Sequence, residues 1–277
     1  MVVKVGIIKA GNIGTSPVID LLLDERADRD DVDVRVIGSG AKMDKKRLDE
    51  TVDILLNFHP DMIVFITPNP NVKQLREARE EIVTAGIPTL VVGDRPGEKG
   101  INVIKKQKLG YILIRADPMI GARREFLDST EMAIFNADVI KVLAITGVFR
   151  VVTRLMDEMI ESIKKNEKIE LPEIILTADL AVEEAGFKND YAKSKAIAAF
   201  NIAEKVSSLN IPGCFERNDP SEYIPLVTAG HEMMSIAARL AEEAREVEKY
   251  GDSLLRTPHR KNGEIAVKTA LLDDLKH

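Results

Sequence analysis

The sequence predicts an α/β fold built on a parallel sheet with flanking helices. Three observations carry the prediction. Short, apolar, β-branched runs recur through the first half of the chain, as suits strands buried on both faces. Between them lie stretches with apolar residues at helical spacing. Each run ends in glycine, proline or small polar residues. Strand and helix alternating in this way predict right-handed crossovers and a parallel sheet.

The first strand opens the chain, Val2-Val3-Lys4-Val5-Gly6-Ile7-Ile8, and leads into Lys9-Ala10-Gly11-Asn12-Ile13-Gly14-Thr15-Ser16-Pro17. Gly11 and Gly14 provide a tight turn. Thr15 or Ser16 suits an N-cap, and Pro17 the first helical turn. Such a strand–turn–helix directs backbone N–H groups at an anionic ligand. The pattern is Rossmann-like, with two departures from a dinucleotide fingerprint. Lys9 stands where its first glycine belongs, and the second strand ends in Val36-Ile37-Gly38-Ser39-Gly40 without the acidic residue that grips a ribose. A lysine in the turn favours an anionic ligand other than NAD.

Further strands are Val32 to Ile37, Met62 to Ile66, Thr89 to Val92 and Tyr111 to Ile114, with helical patterns over Met43 to Phe58 and residues 71–85. The loops after the strands run Lys9 to Gly14, Gly38 to Gly40, Thr67 to Asn71, Gly93 to Gly97 and Asp117 to Gly121. Glycine, proline and asparagine are ordinary turn residues. Five such loops at one sheet edge exceed what turns require, and that edge is where open α/β sheets bind ligands.

After Gly121 the pattern becomes helical. Residues 129–166 carry a long helical periodicity that Thr146-Gly147 bends or breaks, Ile174-Ile175-Leu176 reads as a short strand, and 190–208 and 222–249 are further helices. In the tail, Asn262-Gly263 between two strand-like runs signals a β-hairpin bearing Arg256, His259, Arg260 and Lys261. The expected organisation is an α/β domain over 1–125 with its ligand cleft at the strand ends, a mainly helical section over 126–250, and a small C-terminal β hairpin and tail over 251–277.

Composition narrows the function. A net charge of −6 over 277 residues, with no tryptophan, argues against nucleic-acid binding. The single cysteine, Cys214, excludes an intrachain disulfide and a cysteine-built zinc site and fits a reducing cytoplasm. No apolar run spans a bilayer and no signal peptide precedes Lys4. His231-Glu232-Met233-Met234-Ser235 lacks the second histidine of a zinc-protease helix, and no Walker A or Gly-x-Ser-x-Gly motif occurs. The stretch Asp117-Pro118-Met119-Ile120-Gly121-Ala122-Arg123-Arg124 sets a carboxylate at a strand end ahead of a double arginine suited to phosphate or carboxylate.

Several of these motifs resemble one family. They are Gly6-Ile7-Ile8-Lys9-x-Gly11-Asn12-Ile13-Gly14, Leu23 to Arg29, Gly38 to Met43, Pro68-Asn69-Pro70, Gly110 to Leu113, Gly121 to Asp128, Phe135 to Asp138, His231 to Met234 and Leu255 to His259. In order and over nearly the whole chain, they resemble the coenzyme F-420-dependent methylenetetrahydromethanopterin dehydrogenases of methanogenic and related archaea. Two positions depart: Thr67 replaces the glycine of a Gly-Pro-Asn-Pro loop, and Arg95 stands where a small residue is usual.

The resemblance implies reversible hydride transfer from methylene-tetrahydromethanopterin to the deazaflavin of coenzyme F-420, in methanogenesis from carbon dioxide. It implies a cytoplasmic homohexamer, a trimer of dimers, with a dissociable coenzyme and no metal or bound flavin. Such chemistry needs alignment of two carbons and exclusion of water, with no protein nucleophile. Within this frame Lys9, Gly11, Asn12, Gly14, Thr15, Gly38, Ser39, Thr67, Pro68 and Asn69 are expected to hold the coenzyme, and Met119, Arg123 and His259 the pterin substrate. Asp117 is expected to stabilise the cationic methenyl product. The alternatives are an NAD(P)-dependent dehydrogenase, disfavoured by Lys9 and the missing acid, and a non-catalytic Rossmann-like binding protein.

Overall fold

The structure, a computed structural model, describes residues 1–17, 28–118, 121–123 and 128–275. Six strands form one sheet: β1 (Val3–Ala10), β2 (Val32–Gly40), β3 (Met62–Ile66), β4 (Thr89–Asp94), β5 (Gly110–Ile114) and β6 (Glu173–Leu176), in the order β2-β1-β3-β4-β5-β6. The first five pair in parallel. β6 continues beyond β5, with the Tyr111 N–H donating to the Pro172 carbonyl at 2.6 Å. The short strand read at 174–176 is thus the sheet's sixth member.

Burial explains the sheet's patterning. β3, β4 and β5 are buried at every residue and carry the unbroken apolar runs. β2 lies at the edge and alternates valine with Asp33 and Arg35. Helices α1 (Lys45–Leu56) and α2 (Lys73–Thr84) place Leu48, Val52, Leu55, Leu75, Ala78 and Ile82 against Ile8, Ile63 and Phe65. Asp44 caps α1 by accepting the Arg47 N–H at 3.2 Å. A short helix α3 (Ile101–Lys106), preceded by a 3-10 turn over Arg95–Gly100, leads into β5.

The chain forms two compact units interleaved in sequence. One comprises Met1–Ile114, Val152–Ile175 and His259–Ile265; the other Arg115–Val151, Leu176–Pro258 and Ala266–His277. Three consecutive segments were expected from the composition shifts. The sheet unit instead includes residues 152–175 and the tip of the tail hairpin, because Asp157 and His259 find partners there that no local pattern announces.

The second unit is helical: α4 (Ser129–Ile145), the start of α5 (Val148–Lys164), α6 (Ala178–Ala185), α7 (Asp190–Ile211) and α8 (Pro220–Tyr250). The long periodic run is two helices because Gly147 has φ +97° and a Cβ there would lie 1.9 Å from the Ala181 carbonyl oxygen. Asp128, Asn189 and Asp219 cap α4, α7 and α8 with their side chains. Alanines recur on the buried faces of α7 (Ala192, Ala196, Ala199, Ala203) and α8 (Ala237, Ala241, Ala244), letting the helices pack closely. Among the described residues no single helix is long and apolar enough to cross a membrane.

The tail turn forms at the predicted Asn-Gly. Gly263 has φ +89°, its N–H donates to the Arg260 carbonyl at 2.9 Å, and the Arg260 N–H donates to Glu264 at 2.8 Å. Pairing beyond the turn consists of two isolated antiparallel bridges, Arg256 with Lys268 and His259 with Ile265.

A buried ionic cluster joins three segments of the sheet unit. Arg29 clamps Asp31 with Nε and Nη2 at 2.8 and 2.7 Å and reaches Asp157 Oδ1 with Nη1 at 2.9 Å. The other oxygen of Asp157 lies 2.7 Å from His259 Nε2. Lys164 donates to Asp31 at 3.2 Å and to the Asn262 carbonyl at 3.3 Å. Burial opposes the charge on Asp31, but the Arg29 hydrogen bonds and field prevail and hold its carboxyl down at about 2.

Two stability predictions follow from these contacts. Asp31 has a depressed folded-state pKa, so its contribution is fully present above about pH 4 and is lost as pH falls toward 2, amounting to about 2 kcal/mol. Asp31→Asn should flatten the acid limb of the stability–pH profile measured by urea denaturation. Gly147→Ala combines positive φ with backbone overlap and should lower stability by about 2–4 kcal/mol in the same assay.

Candidate functional site at the strand ends

The strand order sets where a crevice opens. β1 is followed by β2 on one side and β3 on the other. The order 2-1-3-4-5 is the flavodoxin-like variant of the doubly wound sheet, whose switch point lies between β1 and β3. The loops leaving these two strands carry Lys9 to Gly14 and Thr67 to Pro70.

Close backbone approach shapes this edge. Gly11 has φ +83°, and a Cβ there would meet Met43 Sδ at 2.8 Å and Pro68 Cδ at 3.2 Å. Its N–H donates to the Gly40 carbonyl at 3.1 Å, tying the β1 loop to the end of β2. Thr67 is fully buried; its N–H donates to Val92 at 3.0 Å and its hydroxyl lies 3.9 Å from Met43 Sδ. Asn69 accepts the Asn71 N–H at 3.1 Å, fixing the Pro68–Asn71 turn.

Beside this packed floor the end of β2 is bare. Lys9 pairs with Gly38 and Ala10 with Gly40, so the register steps past Ser39 in a bulge. Among the described residues, a Cβ on Gly40 would meet nothing within 4 Å, and one on Gly38 only ordinary contacts from 3.7 Å. Gly38 to Gly40, read as a loop, belong to the strand and offer open backbone beside the half-buried Lys9. A cation beside exposed glycine backbone suits an anionic group. Asn12 is exposed, while Gly14, Thr15 and Ser16 are buried. Thr15 and Ser16 already lie within the helical turn, so neither is its cap.

Sequence reasoning missed a support beneath the loop. Arg79 of α2 is fully buried, donating to the Pro70 carbonyl at 2.8 Å and to Gln107 Oε1 at 3.1 Å, with its guanidinium 5.8 Å from the Phe65 ring centroid. Burial and the charge of Arg76 push its pKa down to about 10. Its signal was an arginine on the apolar stripe of Leu75, Ala78 and Ile82.

The other expected site residues fall in different surroundings. Asp117 is fully buried in the turn after β5 and, with Arg123, belongs to the helical unit. Arg123 lies 3.8 Å over the Tyr223 ring and donates to the Cys214 carbonyl at 2.9 Å. Next to it, the Gly121 carbonyl faces His231 Nε2 at 3.3 Å, and the imidazole packs 4.4 Å from Phe135. Burial pushes the His231 pKa down, favouring the neutral ring. His259, expected at the substrate, is instead enclosed in the sheet unit's ionic cluster, its side chain 2 % exposed. Met119 lies outside the described residues. Among the described residues no group of three or more His, Cys, Asp or Glu is arranged to hold a metal ion.

Comparison with known proteins fits this architecture. Residues 3–276 match the family model described as methylene-5,6,7,8-tetrahydromethanopterin dehydrogenase. The F-420-dependent methylenetetrahydromethanopterin dehydrogenase of Methanosphaera stadtmanae is 55% identical over 99% of both chains. That of Methanocaldococcus jannaschii is 52% identical over 99% of both. A solved structure of an F-420-dependent methylene-tetrahydromethanopterin dehydrogenase, in complex with methylene-tetrahydromethanopterin and coenzyme F-420, superposes with a TM-score of 0.95 at 47% identity and full coverage of both chains. On this match along its whole length, the chain belongs to the methylene-tetrahydromethanopterin dehydrogenase family.

Proposed function

We propose that this protein is an oxidoreductase that transfers a hydride reversibly between methylene-tetrahydromethanopterin and coenzyme F-420, as a step of methanogenesis from carbon dioxide. The observation that carries the reading is the full-length likeness to a dehydrogenase solved with both of these partners. The strand-end geometry agrees with it. Lys9 supplies a cation, and Gly38 to Gly40 supply backbone uncovered by side chains.

When bound, the coenzyme supplies the deazaflavin ring that accepts the hydride. The chain's own task is alignment. Met43, Thr67 and Pro68 pack together at the strand ends, and Arg79 ties down the same loop through the Pro70 carbonyl, which favours a rigid frame for alignment. Lys9 and the glycine edge orient the anionic chain of the coenzyme, together with Asn12, Gly14, Thr15, Ser39 and Asn69. Asp117 stabilises the positive charge that develops on the pterin carbon. Arg123 holds its own segment in place through Tyr223 and Cys214 and presents its remaining N–H groups to the pterin's anionic tail, with Met119 in the same stretch. His259 we assign to the fold rather than to the substrate, because its ring is committed to Asp157. The family resemblance supports a cytoplasmic homohexamer, a trimer of dimers, and the single cysteine fits a reducing compartment.

The deciding assay is anaerobic. Purified protein with oxidised coenzyme F-420 and methylene-tetrahydromethanopterin should bleach the deazaflavin absorbance only when both are present, with NAD and NADP inactive; turnover with NADP alone would reject the reading. Lys9→Gln should raise the KM for coenzyme F-420 about tenfold with little change in kcat. Asp117→Asn should lower kcat about 10²-fold while the KM values hold, and unchanged turnover would reject its role. Light scattering at six times the 30.7 kDa chain mass would support the hexamer.

A further inference from the structure

The helical unit contains a cavity of about 300 Å³ that none of the roles above uses. Its lining includes three arginines, Arg150, Arg245 and Arg256, against one acidic residue, Glu248. Phe187 and Leu254 add apolar surface.

The charges in this cavity do not cancel. Glu248 is buried, and its carboxylate is already occupied: Oε1 accepts the Lys188 and Asn189 N–H groups at 2.8 and 2.7 Å, and Oε2 accepts the Ser253 hydroxyl. Among the described residues no carboxylate comes within ion-pair distance of Arg150, Arg245 or Arg256.

Two of the arginines are held by neutral groups. Arg150 donates to the Thr257 hydroxyl at 3.0 Å and to the Leu255 carbonyl. Arg256 donates to the Thr269 and Leu254 carbonyls at 2.8 and 3.2 Å. These bonds orient the planar forks without neutralising them. Burial pushes the pKa of Arg150 down, with Glu184 acting on it only through its field. Placing several cations around one space is unfavourable unless an anion offsets them, and arginine forks match phosphate and carboxylate oxygens in pairs.

We propose that this cavity is a binding site for a phosphate or carboxylate group, held by Arg150, Arg245 and Arg256. Its volume, at the low end for small-molecule sites, accommodates such a group with a short attached chain against Phe187 and Leu254. The occupant is either a free small anion or the anionic end of one of the reaction's two ligands; both present the same oxygens.

The test titrates inorganic phosphate, and separately malonate, into the full-length protein in an oxyanion-free buffer, with chloride matching the ionic strength. Calorimetry should show saturable binding near one site per chain. Arg245→Gln, at an exposed position of α8 where folding is not at issue, should weaken binding about tenfold. Arg150→Lys keeps the charge and loses the fork, and should weaken it as well. Steady-state kinetics of Arg245→Gln then identify the source. A raised KM for either ligand, with phosphate competing against it, assigns the site to that ligand's anionic end; unchanged KM values assign it to a free anion. Absence of saturable heat, or equal affinity in wild type and Arg245→Gln, would overturn the proposal. These calorimetric outcomes do not depend on whether the hydride-transfer reading holds.

Discussion

Arg29 is the contact on which the sheet unit's connectivity depends. Its guanidinium bridges Asp31, just before β2, and Asp157, more than a hundred residues later on α5, while Asp157 in turn holds His259. The guanidinium and both carboxylates are nearly excluded from water. A buried ionic cluster of this kind adds little net stability over apolar packing, because desolvation offsets most of the attraction. Its effect is selective. Any arrangement that strands one member costs several kcal/mol, so the three segments meet in one way. Gly263 belongs to the same constraint: a Cβ there would lie 2.0 Å from Asp31 Oδ2. The tail turn therefore sits directly against the cluster, and its glycine serves close approach as well as positive φ.

The strand ends show a second constraint, of shape rather than charge. Gly11, Gly93 and Gly97 each lie where a Cβ would press on Pro68 or Pro70, and Thr67 is walled in between. The β3 loop is thereby gripped by its neighbours, with Arg79 satisfying the Pro70 carbonyl from beneath. A buried arginine is costly, but here it closes a polar account that the proline-rich loop leaves open, since its carbonyls have no sheet partner. The consequence for function is rigidity on one side of the crevice and open glycine backbone on the other. Hydride transfer rewards such a frame, since its rate depends on holding two carbons in a narrow range of separation. The helical unit follows a different logic. Alanine stripes on α7 and α8 bring the helices close, and Arg150, Arg245 and Arg256 line one cavity of the unit.

Much of this was legible from local pattern. The buried strands announced themselves as apolar runs and the tail turn by Asn262-Gly263. The family was legible too, through long motifs spread over the chain. The roles of single polar residues were not. His259 looked like a ligand-binding residue because basic side chains near a turn usually face water; only the fold brings Asp157 to it. Arg123 looked like a free fork, yet Tyr223 and Cys214 engage it. Arg79 carries no local mark, beyond its place on the apolar stripe, that sets it apart from the other charges of its helix.

Local pattern fixes what near neighbours along the chain decide. That covers most strand and helix identities, the tail turn, the glycine-bearing strand ends, and the motif set that defines the family. Periodicity and positive-φ requirements act over a few residues, so they are written locally. Only the tertiary structure decided the strand order, the return of β6 to the sheet, the interleaving of the two units and the partners of Arg29, Arg79, Arg123 and His259. Those choices depend on which distant groups desolvate together. The energy of a buried charge is set by whatever the fold places beside it, not by its neighbours in sequence.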